Sequence, residues 1–317
     1  MKRVRACYIA SVMSIAALVL PSCGGRSEDV TLYRLDAELS RGIIPEDSLM
    51  YMAAEKLFDM CGYGPLYQLS VGDYADKPSI VEHKDAVERE FSDLTAESRA
   101  IGKAFDRMRE ELPRAEIPRL FTIISPYTQS IFVADSIMYI GLNHYLGTSY
   151  EMYEYFPDYV RRLKVRPRIP VDIVEAIVRT SYPYKGEEYP QTISRLAYEG
   201  AVAEAVMRIT GRDEAMVLGY ADKDYLWLRD NEHNMWETLV SRRLLFSSDN
   251  TVIRSLVGVN PCSSVISSEA PGWAGRYIGH RLVNSYLSRN KGTTLETLLS
   301  PGFYTSPDLL KNAGYNP

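Results

Sequence analysis

Cysteine and histidine are scarce in this 317-residue chain, which holds four of each. The histidines, His83, His144, His233 and His280, stand singly and without ligand spacing, so they read as surface or hydrogen-bonded packing residues rather than as a metal set. A His-Glu-x-x-His helix, a Gly-x-x-x-x-Gly-Lys-Ser/Thr phosphate loop and a Gly-x-Ser-x-Gly nucleophile elbow are all missing. Gly62 and Gly64 lack a third glycine and run into Pro65, which makes a turn and not a dinucleotide fingerprint. Basic charge is also in deficit: the formal net charge is −5, so the overall field repels phosphate backbones and nucleic acid is excluded as a partner. No apolar run after Leu20 is long enough to cross a membrane, and no repeat, low-complexity tract or linker divides the body.

What is present begins at the N-terminus. Lys2, Arg3 and Arg5 precede an apolar stretch from Ala6 to Leu20, which ends at Leu20-Pro21-Ser22-Cys23. A charged region, a short hydrophobic region and a small residue directly before a cysteine are the pattern of lipoprotein processing. An ordinary secretory signal or an N-terminal membrane helix fits less well, because the run is shorter than the ~20 residues of a span. The expectation is a signal peptide over 1–22, a lipidated Cys23 carrying palmitate, a flexible tether over 23–29 and a single globular domain over 30–317. The place is the cell envelope, with the body facing the periplasm or the cell surface and the outer membrane as the expected anchor. A body of roughly 290 residues can bury about three quarters of its extended-chain surface. With Cys7 removed and Cys23 consumed, Cys61 and Cys262 remain, either as one disulfide or as two buried free thiols.

Along the body, Leu49, Met52, Ala53, Leu57 and Met60 recur at helical spacing over 46–60, with Asp47 or Ser48 as the cap and Gly62-Tyr63-Gly64-Pro65 as the stop. Helical patterns also cover 79–88 and 96–112. The pattern then changes to three short β-branched and aromatic runs, at 119–124, 130–134 and 137–142, the last two joined through Asp135-Ser136 as a hairpin. Helical spacing resumes over 151–163, 171–180, 191–209, 222–246, 275–289 and 304–313. The fold class is therefore α+β, predominantly helical with one small β-sheet.

Candidate chemistry centres on Glu175 and Glu199, which sit among apolar neighbours on successive predicted helices. Buried carboxylates need partners. One reading is a general acid or base; the other is a structural carboxylate met by Arg179, Arg195 or Arg276. A basic run of Arg161, Arg162, Lys164, Arg166 and Arg168 reads as a solvated loop, or else as a surface for an acidic partner or lipid headgroups. Tyr150, Tyr153, Tyr155, Phe156 and Tyr159 have the spacing of a buried helix face. Gly275 and Gly279 are four apart and let another element approach closely, which marks a packing interface.

The segments Ile140-Gly141-Leu142-Asn143-His144-Tyr145-Leu146-Gly147, Leu196-Ala197-Tyr198-Glu199-Gly200 and Asn231-Glu232-His233-Asn234-Met235-Trp236 resemble the gliding-motility lipoprotein B family of Bacteroidetes. So do Leu244-Leu245-Phe246-Ser247, the stretch from Ala270 to Val283, and the ending Tyr315-Asn316-Pro317. The resemblance implies a lipid-anchored envelope protein tied to gliding and to the secretion system that shares its components. The family is also similar, at a distance, to zinc-peptidase-like domains. Laid on that pattern, Val174-Glu175-Ala176-Ile177-Val178 keeps the central glutamate, valines replace both histidines, and Glu199 falls at the third-ligand position. The implication is a zincin-like scaffold that has lost hydrolysis, with no metal, no cofactor and no catalytic residue. It would bind other envelope proteins or a peptide in the old substrate cleft, with Glu175, Glu199, Tyr198, Trp236, Trp273, Arg276 and His280 as cleft candidates. The competing expectation is a hydrolase in which folding brings His233 or His280 to Glu175 or Glu199; a scaffold without a deep cleft is the third.

Overall fold

The computed structural model describes residues 29–186 and 188–317. The expected signal peptide, the lipidated Cys23 and most of the tether lie outside the described residues.

The chain enters as a two-residue strand, β1 (Leu32–Tyr33), and later supplies β2 (Arg119–Ile123), β3 (Ile131–Ala134) and β4 (Ile137–Gly141). Their order across the sheet is β1-β2-β4-β3. β1 runs parallel to β2 and β2 parallel to β4, whereas β3 returns antiparallel on β4 as the edge strand. The expected hairpin is present, and Asp135 makes its turn with φ of 52°. β4 is buried at every position, which is why its sequence Ile-Met-Tyr-Ile-Gly is continuously apolar rather than alternating. β1 was not expected, since two residues carry no periodicity.

The remainder is mainly helical. Ser48–Met60 is capped by Asp47, whose carboxylate accepts from the amides of Leu49 and Met50 at 3.0 Å each. Thr192–Thr210 is the central helix, buried at nearly every position, because Ala, Gly, Val and Ile leave it no polar stripe. Gly211 ends it at φ of 69°. Around it pack Thr95–Glu111, Ile169–Ser181 and Ala274–Arg289. The tightest crossing uses the predicted glycine interface: a Cβ on Gly279 would lie 1.9 Å from the Leu196 carbonyl oxygen, and one on Gly200 would lie 2.1 Å from the Gly279 carbonyl oxygen. One contiguous buried cluster extends from Leu35 to Ala313.

Several expectations are corrected. The 151–163 segment is not one helix but a short turn at Glu151–Tyr153 and another at Asp158–Arg161, separated at Pro157; Tyr153 is buried while Tyr155 is 92% exposed. The 222–246 stretch breaks at Asn231 into Asp222–Asp230 and Glu232–Ser241. Between Pro301–Tyr304 and Leu309–Ala313 the chain leaves helical geometry at Ser306-Pro307. Gln68–Ala75 and Asn250–Val257 are helices that were not expected. Of the two alternatives for Cys61 and Cys262, the free-thiol one holds, with both side chains partly rather than fully buried.

Candidate functional site

The Ile169–Ser181 helix buries Ile173, Val174, Ile177 and Val178 in the core. Asp172, Glu175, Ala176 and Arg179 recur three or four residues apart on it, and with Arg168 just before its first turn they face a cleft of about 510 Å³. The lining also takes in Thr128, Gln129, Ser130 and Ile131, on the approach to the sheet edge, together with Lys164, His144, Trp273 and Arg276. A smaller cavity continues along the same helix and strand, between Val133, Ile177 and Thr180.

The edge itself has unused backbone groups. Gly141 donates its amide to the Ser130 carbonyl at 2.8 Å, so Ser130 and Gly141 are a bonded pair. Alternation along an antiparallel ladder then points Ser130, Phe132 and Ala134 at β4 and leaves the N–H and C=O of Ile131 and Val133 facing outward.

Glu175 sits on the cleft wall with one carboxylate oxygen doubly engaged. Its Oε1 accepts from Arg179 Nε at 2.9 Å and from Arg276 Nη2 at 2.8 Å. Burial would raise its pKa, yet Arg276, Arg179 and Arg168 outweigh burial and hold it at about 2. Glu199 lies behind it, fully enclosed. It accepts from Arg179 Nη1 and Nη2 at 3.2 and 2.6 Å, pairs with Arg195 at 2.8 Å and lies 3.5 Å from Arg276 Nε. The three arginines named from sequence all reach it, and its pKa too ends below normal although burial pushes the other way. Further along the wall, Arg168 pairs with Asp172 at 2.5 Å and donates to the Val217 carbonyl at 3.1 Å, while Tyr145 donates to Asp172 at 2.9 Å.

The other sequence candidates divide by location. Trp273 and Arg276 line the cleft with Glu175. Tyr198 lies elsewhere, donating to the Tyr182 carbonyl at 2.9 Å within a cluster with Tyr184 and Tyr304. Trp236 packs edge-on against Tyr315 near the C-terminus. His280 is buried between Glu204, at 3.1 Å, and Glu214. Burial lowers its pKa, but the hydrogen bonds to both glutamates prevail and raise it to about 9. His233 is exposed and donates to the Pro317 carbonyl at 2.7 Å. Neither histidine bonds to Glu175 or Glu199, so the carboxylate–imidazole constellation of the hydrolase expectation is not assembled.

The basic run is corrected as well. It is neither a solvated loop nor a basic surface: Arg162 pairs with Asp224, Arg166 reaches Glu97 at 2.9 Å, and Lys164 and Arg168 are each only 8% exposed at their side chains or less. Lys164 and Arg168 of that run line the cleft, as do His144, expected as a packing residue, and Asp172, which was not singled out. For Arg168 and Asp172 a signal existed, since with Glu175 and Arg179 they complete a polar stripe on an otherwise apolar helix.

Among the described residues, no group of three or more His, Cys, Asp or Glu side chains is gathered to hold a metal. Zinc does not fit where the zincin comparison would put it, because Val174 and Val178 offer no lone pair and guanidinium groups already fill the space between Glu175 and Glu199.

A mainly helical α+β body with a mixed four-stranded sheet and an ion-paired cleft at its edge defines the class. The chain belongs to the family described as gliding motility protein GldB, whose model matches residues 34–317. No curated protein and no solved structure matches it. The family is one of lipoproteins, which implies membrane attachment and a cell-envelope location. No helix among the described residues is long and apolar enough to cross a membrane.

Proposed function

We propose that this chain is a non-catalytic envelope lipoprotein that binds an extended peptide segment of another envelope protein along the β3 edge. Its anchor is a lipid on Cys23 after removal of residues 1–22, with 23–29 as the tether, the outer membrane as its seat and 30–317 as one domain. The scaffold is read as zincin-like: an antiparallel edge strand lies beside the helix carrying Glu175, and the next long helix brings Glu199 up behind it.

The observation that carries the non-catalytic reading is the clamp on Glu175. A general base works best with a pKa near the operating pH. A carboxylate held at about 2 by two guanidinium groups, each bonded to its Oε1, is a weak base without a free oxygen on that side. The binding reading rests on the outward-facing amides and carbonyls of Ile131 and Val133 above an existing cleft, which is the arrangement that strand addition uses.

A pool of end-blocked seven-residue peptides tests both halves. Hydrogen exchange is expected to show slowed exchange at Ile131 and Val133, and mass spectrometry is expected to show the peptides intact, with no stoichiometric zinc by elemental analysis. Peptide cleavage that disappears in Glu175→Gln would overturn the non-catalytic reading. Unchanged exchange at β3 with every pool would overturn the docking reading.

A further inference from the structure

Lys164 is the one cationic residue on the cleft wall whose charge meets no carboxylate among the described residues. Arg168 is paired with Asp172, and Arg179 and Arg276 share Glu175 and Glu199. The Lys164 amine instead contacts the Nδ1 of His144 at 2.9 Å and lies over the rings of Phe156 and Tyr153, 4.5 and 5.1 Å from their centres. His144 Nε2 is 2.9 Å from the Tyr127 carbonyl, which only accepts, so Nε2 carries the proton and Nδ1 accepts from the lysine. An ammonium group has three donors, and this contact uses one. Burial drags the amine down to about 8, with no acidic neighbour to oppose the shift. A buried cation is costly unless an anion or good acceptors meet it.

One further donor among the cleft-lining residues lacks an acceptor: the Nε–H of Arg168 is buried and unbonded. Unsatisfied buried donors are rare enough that each calls for a missing partner. The wall as a whole carries Lys164, Arg168, Arg179 and Arg276 against Asp172 and Glu175, and it stays positive when Glu199 behind it is included. This surplus sits in a chain whose net charge is −5. Its position is also specific, because the Tyr127 carbonyl that holds His144 belongs to the segment leading into β3, next to the open edge.

We propose that Lys164 forms a carboxylate-binding subsite at the head of the cleft, which selects a docked peptide by an acidic side chain or by its free C-terminus. The inference rests on the peptide-docking reading, and the ring faces and His144 orient the amine without neutralising it. A carboxylate there would take the two unused ammonium donors and restore charge balance in the wall.

The test uses three pools of seven-residue peptides on the immobilised protein: end-blocked with a central Glu, end-blocked with a central Gln, and central Gln with a free C-terminus. A carboxylate pool is expected to be retained about tenfold more strongly than the blocked Gln pool, the size of one charge-assisted hydrogen bond. Which carboxylate pool wins identifies the source. Lys164→Met should erase the preference and Lys164→Arg should keep part of it. Should Lys164→Met fail to fold, Gln129→Glu, which adds a competing carboxylate to the lining of the same cleft, is expected to weaken the preference in its place. Equal retention of all three pools, or a preference that survives Lys164→Met, would overturn the subsite while leaving peptide docking intact. Retention of no pool at all would overturn both.

Discussion

The two long helices Thr192–Thr210 and Ala274–Arg289 carry two buried ionic clusters a short distance apart, and they are built differently. In the first, Glu199 faces arginines alone, Arg179, Arg195 and Arg276, and the cluster opens on the cleft through Glu175. In the second, His280 is held between Glu204 and Glu214, with Arg208 on Glu204 and Tyr225 donating to Glu214 at 2.7 Å. Arginine does not release its proton, whereas histidine does. The first cluster is thus locked at every physiological pH, and the second has a neutral form available.

That difference predicts an order of effects. Glu199→Gln leaves Arg179 and Arg276 with Glu175 as their one carboxylate and Arg195 with none, and a loss of about 3–5 kcal/mol in urea unfolding is expected. Glu214→Gln should cost clearly less, because His280 can shed its charge or lean on Glu204; equal losses would break the comparison. Next comes Gly279→Ala, which drives a Cβ against the Leu196 carbonyl and pries apart the helices that carry both clusters. About 3 kcal/mol is expected from such overpacking, read by thermal melting.

The pH dependence of stability separates the clusters directly. His280 has a folded-state pKa of about 9 against an ordinary 6.5. Its contribution is therefore fully present below pH 6.5 and is lost as pH rises to 9, on the order of 1–3 kcal/mol across that window. His280→Gln should flatten this alkaline decline, and a decline that persists unchanged would assign it to another group. Lys164 has the opposite sign. Its pKa is depressed from 10.5 to about 8, so its charge costs stability below pH 8 and the cost fades as pH rises towards 10.5. Lys164→Met is expected to stabilise the protein at pH 7 by about 1 kcal/mol, with the gain shrinking above pH 8 and gone above pH 10.5. Stabilisation by removing a charged residue is what a binding residue, rather than a structural one, would show. The smallest effect is expected at Tyr155, 92% exposed, where Tyr155→Ala should stay within about 0.5 kcal/mol.

The sequence was most informative where a single element repeats one spacing long enough to count. The Ser48–Met60 helix with its Asp47 cap, the β3–β4 hairpin at Asp135 and the glycine crossing at Gly279 were all readable in this way. Short elements were not: β1 and Gln68–Ala75 hold too few pleats or turns to show a period, and Asn250–Val257, although amphipathic at helical spacing, sustains it for only two turns. Aromatic spacing at 150–159 misled, because Pro157 outweighs periodicity there. At the cleft, Glu175 and Glu199 stood out as carboxylates in apolar surroundings, and their arginine partners could be named because two lie one helical turn away. The meeting of Lys164 with His144, and of His280 with Glu214 66 positions before it, left no local trace.

The order of apolar and polar residues along the chain by itself determined the α+β class, the positions of the long helices, and the presence of inward carboxylates that had to be paired. Those features are local, set by spacings of two or of three to four residues. Only the tertiary structure decided that β3 is an open edge, that guanidinium groups stand between Glu175 and Glu199, and that Lys164 is left without a counter-charge. Strand order and the pairing of buried charges depend on which distant segments meet, and that is settled by packing the whole core at once.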